Sequence, residues 1–325
     1  MTASYKVAIV LLFAMQMGGA SGADSDRAYP YRPIRILVPF APGGSTDLVA
    51  RGIGEKLTKA WGQQVVIDNR TGADGIIASE IVANATRDGY TLLMNALGHA
   101  ANPSLYRKLP YDTLKDFTPI ILGADVPIML VVHSSVKANN VSELLALARA
   151  KPGGLNCGTA GVGASHHLAA EVFRLATKID LQYIHYKGAA PALLEVAAGR
   201  VDMMFAPVSS AIQHVKAGRL KALGVTSPKR VAIVPDLPTI AESGVPGYEA
   251  RAWYGLVGPA KLDKGLTRKL NREIDHALRK TDLGDRLLAI GAVPMGGTPE
   301  EFGEFIQREV KKYAVVVKAA GISPQ

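Results

Sequence analysis

The sequence predicts an α/β protein built on two mainly parallel sheets. Short β-rich runs alternate with helical patterns along most of the chain, as expected for parallel strands joined by crossover helices. The strands fall into two groups, and apolar runs at 119–132 and 250–257 are placed to cross between them. A length of 325 residues exceeds one typical domain and suits two.

In chain order, "IRILVPF" reads as a strand. "TDLVARGIGEKLTKAW" reads as a helix, with Leu48, Val49, Ile53, Leu57 and Trp61 at helical spacing. "QQVVIDN" is a strand, "GIIASEIVANAT" a helix and "YTLLMNA" a strand. A long loop is expected from Leu97 to about Phe117, then an apolar run broken by Pro127. "VSELLALARAKPG" is a helix with a Pro-Gly-Gly stop, followed by the strand "LNCGTA" and the helix "SHHLAAEVFRLATKI". "LQYIHY" is a strand, and "PALLEVAAG" a helix with Pro191 in its first turn. "VDMMFAPV", "SAIQHVKAG" and "LKALGVTS" continue as strand, helix, strand. A proline-rich connection runs from Ser227 to Tyr248, then the strand "ARAWYGLVGPA" and two long amphipathic helices to the end. Domain 1 is expected at 28–124 plus 251–325, and domain 2 at 125–250. Trp253, in the second crossing, is expected near the cleft, and Trp61 outside it.

Residues 1–23 read as a secretory signal: Lys6, then the apolar run "VAIVLLFAMQMGG", then "ASGA" with small residues at candidate cleavage positions. The apolar run is too short for a comfortable membrane span, so a soluble, exported chain is expected. Its one cysteine, Cys157, permits no internal disulfide and reads as a small buried hydrophobe. The formal charge of +9 becomes +8 once Lys6 leaves with the signal. That balance favours anionic partners. No basic stripe interleaved with aromatics points to nucleic acid.

Ligands of open α/β sheets bind outside the carboxyl ends of the strands. The strand-to-helix loops here are "APGGSTD", "NRTGADG", "NALGHAAN", "GTAGVGASHH", "YKGAAP" and "APVSS". None carries a paired carboxylate, a nucleophile beside a base, or metal-ligand spacing. There is no G-x-S-x-G, H-E-x-x-H or Walker A sequence. Gly158, Gly161 and Gly163 miss dinucleotide spacing. His166 and His167 are adjacent, so they cannot share a helix face as a zinc pair. No catalytic residue, metal or cofactor is expected. What remains is anion binding, since a helix start offers unpaired N–H groups and partial positive charge. Glycine lets a ligand approach the backbone. The plainer reading of Gly43-Gly44-Ser45-Thr46-Asp47 is a turn with Ser45 or Thr46 as cap, and the two readings are compatible.

With these motifs in place, the chain resembles the receptors of tripartite tricarboxylate transporters, the Bug family of extracytoplasmic solute-binding proteins. The resemblance rests on "PFAPGGSTDLVAR", "GYTLLM", "NPSLYRKLPYD", "GTAGVGASHHLAAEVF", "YKGAAPALLEVAAGRVDMMF", "KAGRLKALGVTSPKR", "PDLPTIAESGVPGYEA" and "WYGLVGPA", in that order. It implies a type-II periplasmic-binding-protein fold, two α/β domains closing on a small organic mono-, di- or tricarboxylate. It implies ligand contacts at Phe40, Gly43, Gly44, Ser45, Thr46 and Asp47, and from domain 2 at Gly161, Ser165, His167, Tyr186, Lys187 and Gly188. Ala206 and Pro207 would lie near the rim, and Asn95 and His99 at the distal end that sets the ligand. Cys157 stands where an aromatic residue is frequent, Glu195 where aspartate is frequent, and Ala206-Pro207 where an acid is commoner. The last departure speaks against an amino-bearing ligand. The implied protein is a monomer, partnered by membrane transporter subunits or by a sensor kinase; an exported enzyme of the same fold is the third reading.

Overall fold

The first apolar run ends as a strand at Val38, because Pro39 and then Pro42-Gly43-Gly44 interrupt it. The computed structural model describes residues 29–186 and 188–324; the expected signal at 1–23 and the candidate Lys187 lie outside them. After β1 (Ile34–Val38), α1 (Ser45–Trp61) buries Val49, Ala50, Ile53 and Leu57. Gly62 closes it in the left-handed conformation, φ 66. β2 (Val65–Asn69), a 3-10 turn (Ala73–Gly75), α2 (Ile76–Ala83) and β3 (Thr91–Ala96) follow.

Residues 97–105, expected as loop, form the helix α3 (Leu97–Leu105) with Pro103 inside it. A proline has no N–H to give the carbonyl four residues back. That carbonyl belongs to His99, and it accepts a hydrogen bond from the Thr113 hydroxyl at 3.2 Å. Burial of Leu97, Ala100, Ala101 and Leu105 then holds the helix in place.

The apolar run at 119–132 divides at Pro127 into β4 (Phe117–Val126) and β5 (Ile128–His133), which join different sheets. The second unit continues as α4 (Val141–Ala150), β6 (Asn156–Thr159), α5 (Ser165–Thr177), β7 (Gln182–His185), α6 (Ala189–Ala197), β8 (Met203–Pro207), α7 (Val208–Lys216) and β9 (Leu220–Val225). β10 (Ala252–Pro259) returns to the first sheet, ahead of α8 (Lys264–Lys280), α9 (Leu283–Ala289), β11 (Val293–Gly296) and α10 (Pro299–Ala319). The short α9 and β11 had no sequence expectation. α10 opens on a capping box between Thr298 and Glu301, with Pro299 in its first turn.

The first sheet has the order β11-β4-β10-β3-β1-β2 and the second β7-β6-β8-β5-β9. β1 pairs in parallel with β2 and β3, and β6 with β7 and β8. The strands that bring the chain across run the other way. β10 lies antiparallel between β3 and β4, and β5 antiparallel between β8 and β9. Both sheets are therefore mixed, with the parallel strands β2-β1-β3 and β7-β6-β8 at one side of each. The strand order reverses at β1 in the first sheet and at β6 in the second, which opens a crevice at the carboxyl ends of β1 and β3 and of β6 and β8.

Apolar packing is continuous through the crossings, from Ile36 and Ile53 through Val126 and Ile128 to Phe173 and Phe205. Cys157 is fully buried in that core, and burial raises its thiol pKa. Trp253 departs from expectation. It points away from the crevice, buried against Phe302 and Phe305 of α10, and its indole N–H donates to Glu309 Oε2 at 3.1 Å.

Candidate functional site

The loops after β1 and β6 are built alike. In the first, the Gly43 N–H donates to Asp47 Oδ2 at 2.9 Å. In the second, the Gly163 N–H donates to His167 Nδ1 at 3.0 Å. In both cases a side chain in the first helical turn reaches back four residues to hold the loop. Each helix then starts on a serine, Ser45 or Ser165, after an extended residue: Gly44 (φ −74, ψ 164) or Ala164 (φ −60, ψ 153). No side chain caps either helix.

This corrects the expectation that Ser45 or Thr46 caps α1. The Ser45 and Thr46 side chains interact instead with the phenol of Tyr254 on β10, and Asp47 is occupied by Gly43. The first-turn amides are thus free of a side-chain acceptor at both helix starts, a ready setting for an anion. Gly43 needs glycine, at φ +83; Gly44 does not, and a Cβ there would come no nearer than 3.6 Å to the Ala41 carbonyl.

Asp47 is 1% exposed, and its carboxylate is saturated within the protein. Besides Gly43, it accepts from Arg51 Nε at 2.8 Å and from Asn69 Nδ2 at 2.9 Å. Asn69 also donates to the Phe40 carbonyl at 2.9 Å, tying β2 to the loop. Burial alone would raise the Asp47 pKa, but the bonds from Arg51, Gly43 and Asn69 outweigh it and hold the pKa below the usual range. Asp47 therefore shapes the loop and has little capacity left for a ligand.

His167 plays the matching part in the second loop without a charge. Burial, helped by His185 and Arg174, lowers its pKa to about 4, so the ring is neutral. Accepting from Gly163 at Nδ1 places its proton on Nε2, 3.7 Å from Glu171 Oε1. Glu171 in turn accepts from Arg174 Nε at 2.9 Å. Gly161 (φ +124) shapes the same loop. Tyr186, half-buried after β7, donates its N–H to the Thr159 carbonyl at 2.9 Å. Gly188 (φ 123) heads α6, again with no side-chain cap. The walls of the crevice meet here: a Cβ added to Gly163 would lie 2.5 Å from Leu105 Cδ1 on α3.

The two rim candidates fare differently. Pro207 is half-buried and heads α7. Ala206 is fully buried and packs in the apolar cluster with Met129, Met204 and Val208, so its side chain does not border the crevice.

Asn95, at the end of β3, and His99, in the first turn of α3, line a small pocket with Pro39, Phe40, Asp74, Gly75, Ser79, Ala96 and Gly98. Asn95 is 1% exposed and His99 4%. Neither the Asn95 amide nor either ring nitrogen of His99 has a partner. Burial lowers the His99 pKa to about 3, so this imidazole is neutral too. Its ring stacks on Tyr111 with centroids 5.9 Å apart and takes the edge of Phe117 at 4.6 Å. The structure thus gathers Phe40, Gly43–Asp47, Asn95 and His99 at one sheet end, and Gly161, Ser165, His167, Tyr186 and Gly188 at the other.

Sequence reasoning missed Arg51, Asn69 and Tyr254. Arg51 was available from its spacing, since an arginine four residues after Asp47 shares its helix face. Asn69 and Tyr254 reach the loop only through sheet pairing, which no local pattern shows. Among the described residues, no group of three or more His, Cys, Asp or Glu side chains is placed to hold a metal ion.

Comparison with known proteins gives one pattern. The sequence model for "Tripartite tricarboxylate transporter family receptor" matches residues 49–322. BugT of Bordetella pertussis is 35% identical over 317 residues, covering 97% of each chain. A structure of Rpa4515 with adipate, from R. palustris, superposes with a TM-score of 0.82 at 37% identity, over 92% of this chain and 100% of that one. MatC from Rhodopseudomonas palustris, with bound malate, superposes with a TM-score of 0.77 at 33% identity, over 89% and 100%.

Proposed function

The chain belongs to the tripartite tricarboxylate transporter receptor family, and we propose that it is a periplasmic receptor that captures a small organic carboxylate between its two sheets for uptake through membrane transporter subunits. The units that close on the ligand are 28–124 plus 251–325 and 125–250, hinged at the crossings by Pro127 and Ala252. The observation that carries this reading is the pair of helix starts, at Ser45 and Ser165, left without side-chain caps at the carboxyl ends of β1 and β6. Their amides offer donors and partial positive charge to an anion. Each such contact contributes about 0.3–1 kcal/mol when exposed and up to about 2 when partly buried, so affinity requires both loops.

Relatives support the ligand class, since Rpa4515 and MatC were found with the carboxylates adipate and malate. The proposed contacts are the backbone of residues 44–47, Ser165 and Gly161, with Phe40, Tyr186, Gly188 and Pro207 around the mouth. Asp47 and His167 hold the two loops, and Asn95 and His99 meet the far end of the ligand.

A thermal-shift screen of mono-, di- and tricarboxylates and aromatic acids tests the reading. A ligand at about 100 times its dissociation constant stabilises by about 2.7 kcal/mol, a rise of several degrees for a chain of this size. Sugars or polyamines that raise the melt while no carboxylate does would exclude the proposal.

A further inference from the structure

The far end of the crevice is chemically unlike its anion-binding mouth. Asn95 presents an amide with donors and an acceptor, and neutral His99 presents one ring N–H and one ring acceptor. All four polar atoms are buried and unpartnered in the same pocket. One turn further along α3, Asn102 donates through Nδ2 to the Asp74 carbonyl at 3.2 Å and interacts with the Tyr111 phenol. No lysine or arginine is among the residues lining the pocket. The one acidic lining residue, Asp74, takes the Tyr106 hydroxyl at 3.1 Å.

Buried polar groups are almost always hydrogen-bonded, so four unpaired atoms around one small space call for a complement. A carboxylate is a poor one. It accepts only, it would leave half of the donor and acceptor set unmatched, and it would be buried near Asp74 with no cation beside it. An uncharged group that both donates and accepts meets the amide and the imidazole together. The space is about the size of one water molecule, room for a hydroxyl or for the tip of a primary amide.

We propose that the pocket formed by Asn95 and His99 selects a monocarboxylate whose far end is an uncharged hydroxyl or carboxamide, and discriminates against a second carboxylate. This rests on the receptor reading, in which the loops hold the one carboxylate. It separates this chain from Rpa4515 and MatC, whose structures hold the dicarboxylates adipate and malate.

The test measures dissociation constants by calorimetry for matched sets of equal carbon length. Succinate, glutarate and adipate are compared with succinamate, glutaramate and adipamate, and with the corresponding ω-hydroxy acids. In the best-fitting length, the monoamide or hydroxy acid is expected to bind about tenfold or more tighter than the diacid, as a site built for hydrogen bonding rejects a mismatched group. Asn95→Leu should bring that ratio close to one. A diacid that binds tighter than both of its counterparts overturns the pocket proposal and leaves the receptor reading standing. An unchanged ratio in Asn95→Leu overturns it as well. If no compound of any set binds and carboxylates fail in the wider screen, the receptor reading falls and the pocket proposal with it. Should Asn95→Leu not fold, the wild-type ratios decide alone.

Discussion

Replacing Gly44 by aspartate should make the protein more stable and abolish ligand binding, an unusual pairing of signs. Gly44 occupies the N-cap of α1 with φ −74 and ψ 164, angles open to any residue, and no side chain caps the helix. An added Cβ has ordinary contact only, 3.6 Å from the Ala41 carbonyl. Aspartate at an N-cap accepts from the amide two or three residues on, and relative to alanine this stabilises by about 0.5–2 kcal/mol. The helix dipole adds about 0.3–1 kcal/mol for the negative charge. The nearby Asp47 opposes this weakly, because its charge is already paired with Arg51. Gly44→Asp should therefore exceed Gly44→Ala by about 1–2 kcal/mol, or several degrees of melting temperature.

The same carboxylate would occupy the amides proposed to hold the ligand. Losing two hydrogen bonds to a charged group costs about 3 kcal/mol or more, above a hundredfold in affinity. Gly44→Ala lacks the charge and should bind within a few fold of the parent. The two variants are compared by thermal melts without ligand and by calorimetry with the best carboxylate from the screen. A Gly44→Asp variant that melts below Gly44→Ala, or that binds normally, would mean the first-turn amides are engaged otherwise and the anion-site argument is wrong.

Two further outcomes follow from the same geometry. Asp47→Ala strands the Gly43 N–H, Asn69 and Arg51 at a site that is 1% exposed; it should lower stability by about 2–4 kcal/mol and weaken ligand binding, and urea midpoints near the parent value would show that Asp47 does not hold the loop. Acid should destabilise the fold: His99 and His167 are lowered from 6.5 to about 3 and about 4, so below pH 6.5 the unfolded chain takes up protons that the folded one refuses, and stability present above 6.5 is lost as pH falls toward the folded values. One pH unit below 6.5 that is about 1.4 kcal/mol per histidine, offset in part by Asp125, whose pKa is raised to about 6 by burial and which favours the fold on acidification. With His166, which burial also lowers to about 4, the net loss should be about 3 kcal/mol by urea titration, with a shallower slope in His99→Leu; a midpoint that holds steady on acidification would contradict neutral buried rings.

The alternation of strands and helices was legible because each element is amphipathic or apolar over its own length, as Val49, Ile53 and Leu57 on α1 illustrate. Pro127 was legible as a break in the apolar run at 119–132, since proline interrupts a ladder locally. α3 was not legible, because Pro103 argues against a helix and its compensating partner, Thr113, lies on a separate loop. The antiparallel sense of β5 and β10 was hidden for a similar reason. Strand direction depends on where the chain has come from, and both strands arrive from the opposite sheet. At the site, the glycines and serines announced helix starts, but the uncapped state depends on Tyr254, brought beside Ser45 and Thr46 by β10. The inward orientation of Trp253 toward α10 is likewise a matter of sheet face, which a run buried on both sides does not encode.

The likeness of the two loops leads to one last step. Gly43 with Asp47 and Gly163 with His167 solve the same backbone problem, an N–H directed back to a side chain in the first helical turn. The first solution uses a carboxylate neutralised by Arg51, and the second uses a neutral imidazole. Neither leaves net negative charge at the helix start, which is the condition for an anion to settle on the amides. A charged acceptor without its cation would fail that condition. Arg51→Met should therefore weaken carboxylate binding although Arg51 is not proposed to touch the ligand. The bare Asp47 charge would then repel an incoming anion, at about 1 kcal/mol or more across a partly wet gap, so the effect should shrink as salt is added. Affinity that is unchanged in Arg51→Met at low salt would show that Asp47 is screened by something other than its ion pair, and the balanced-charge account of the first loop would not survive.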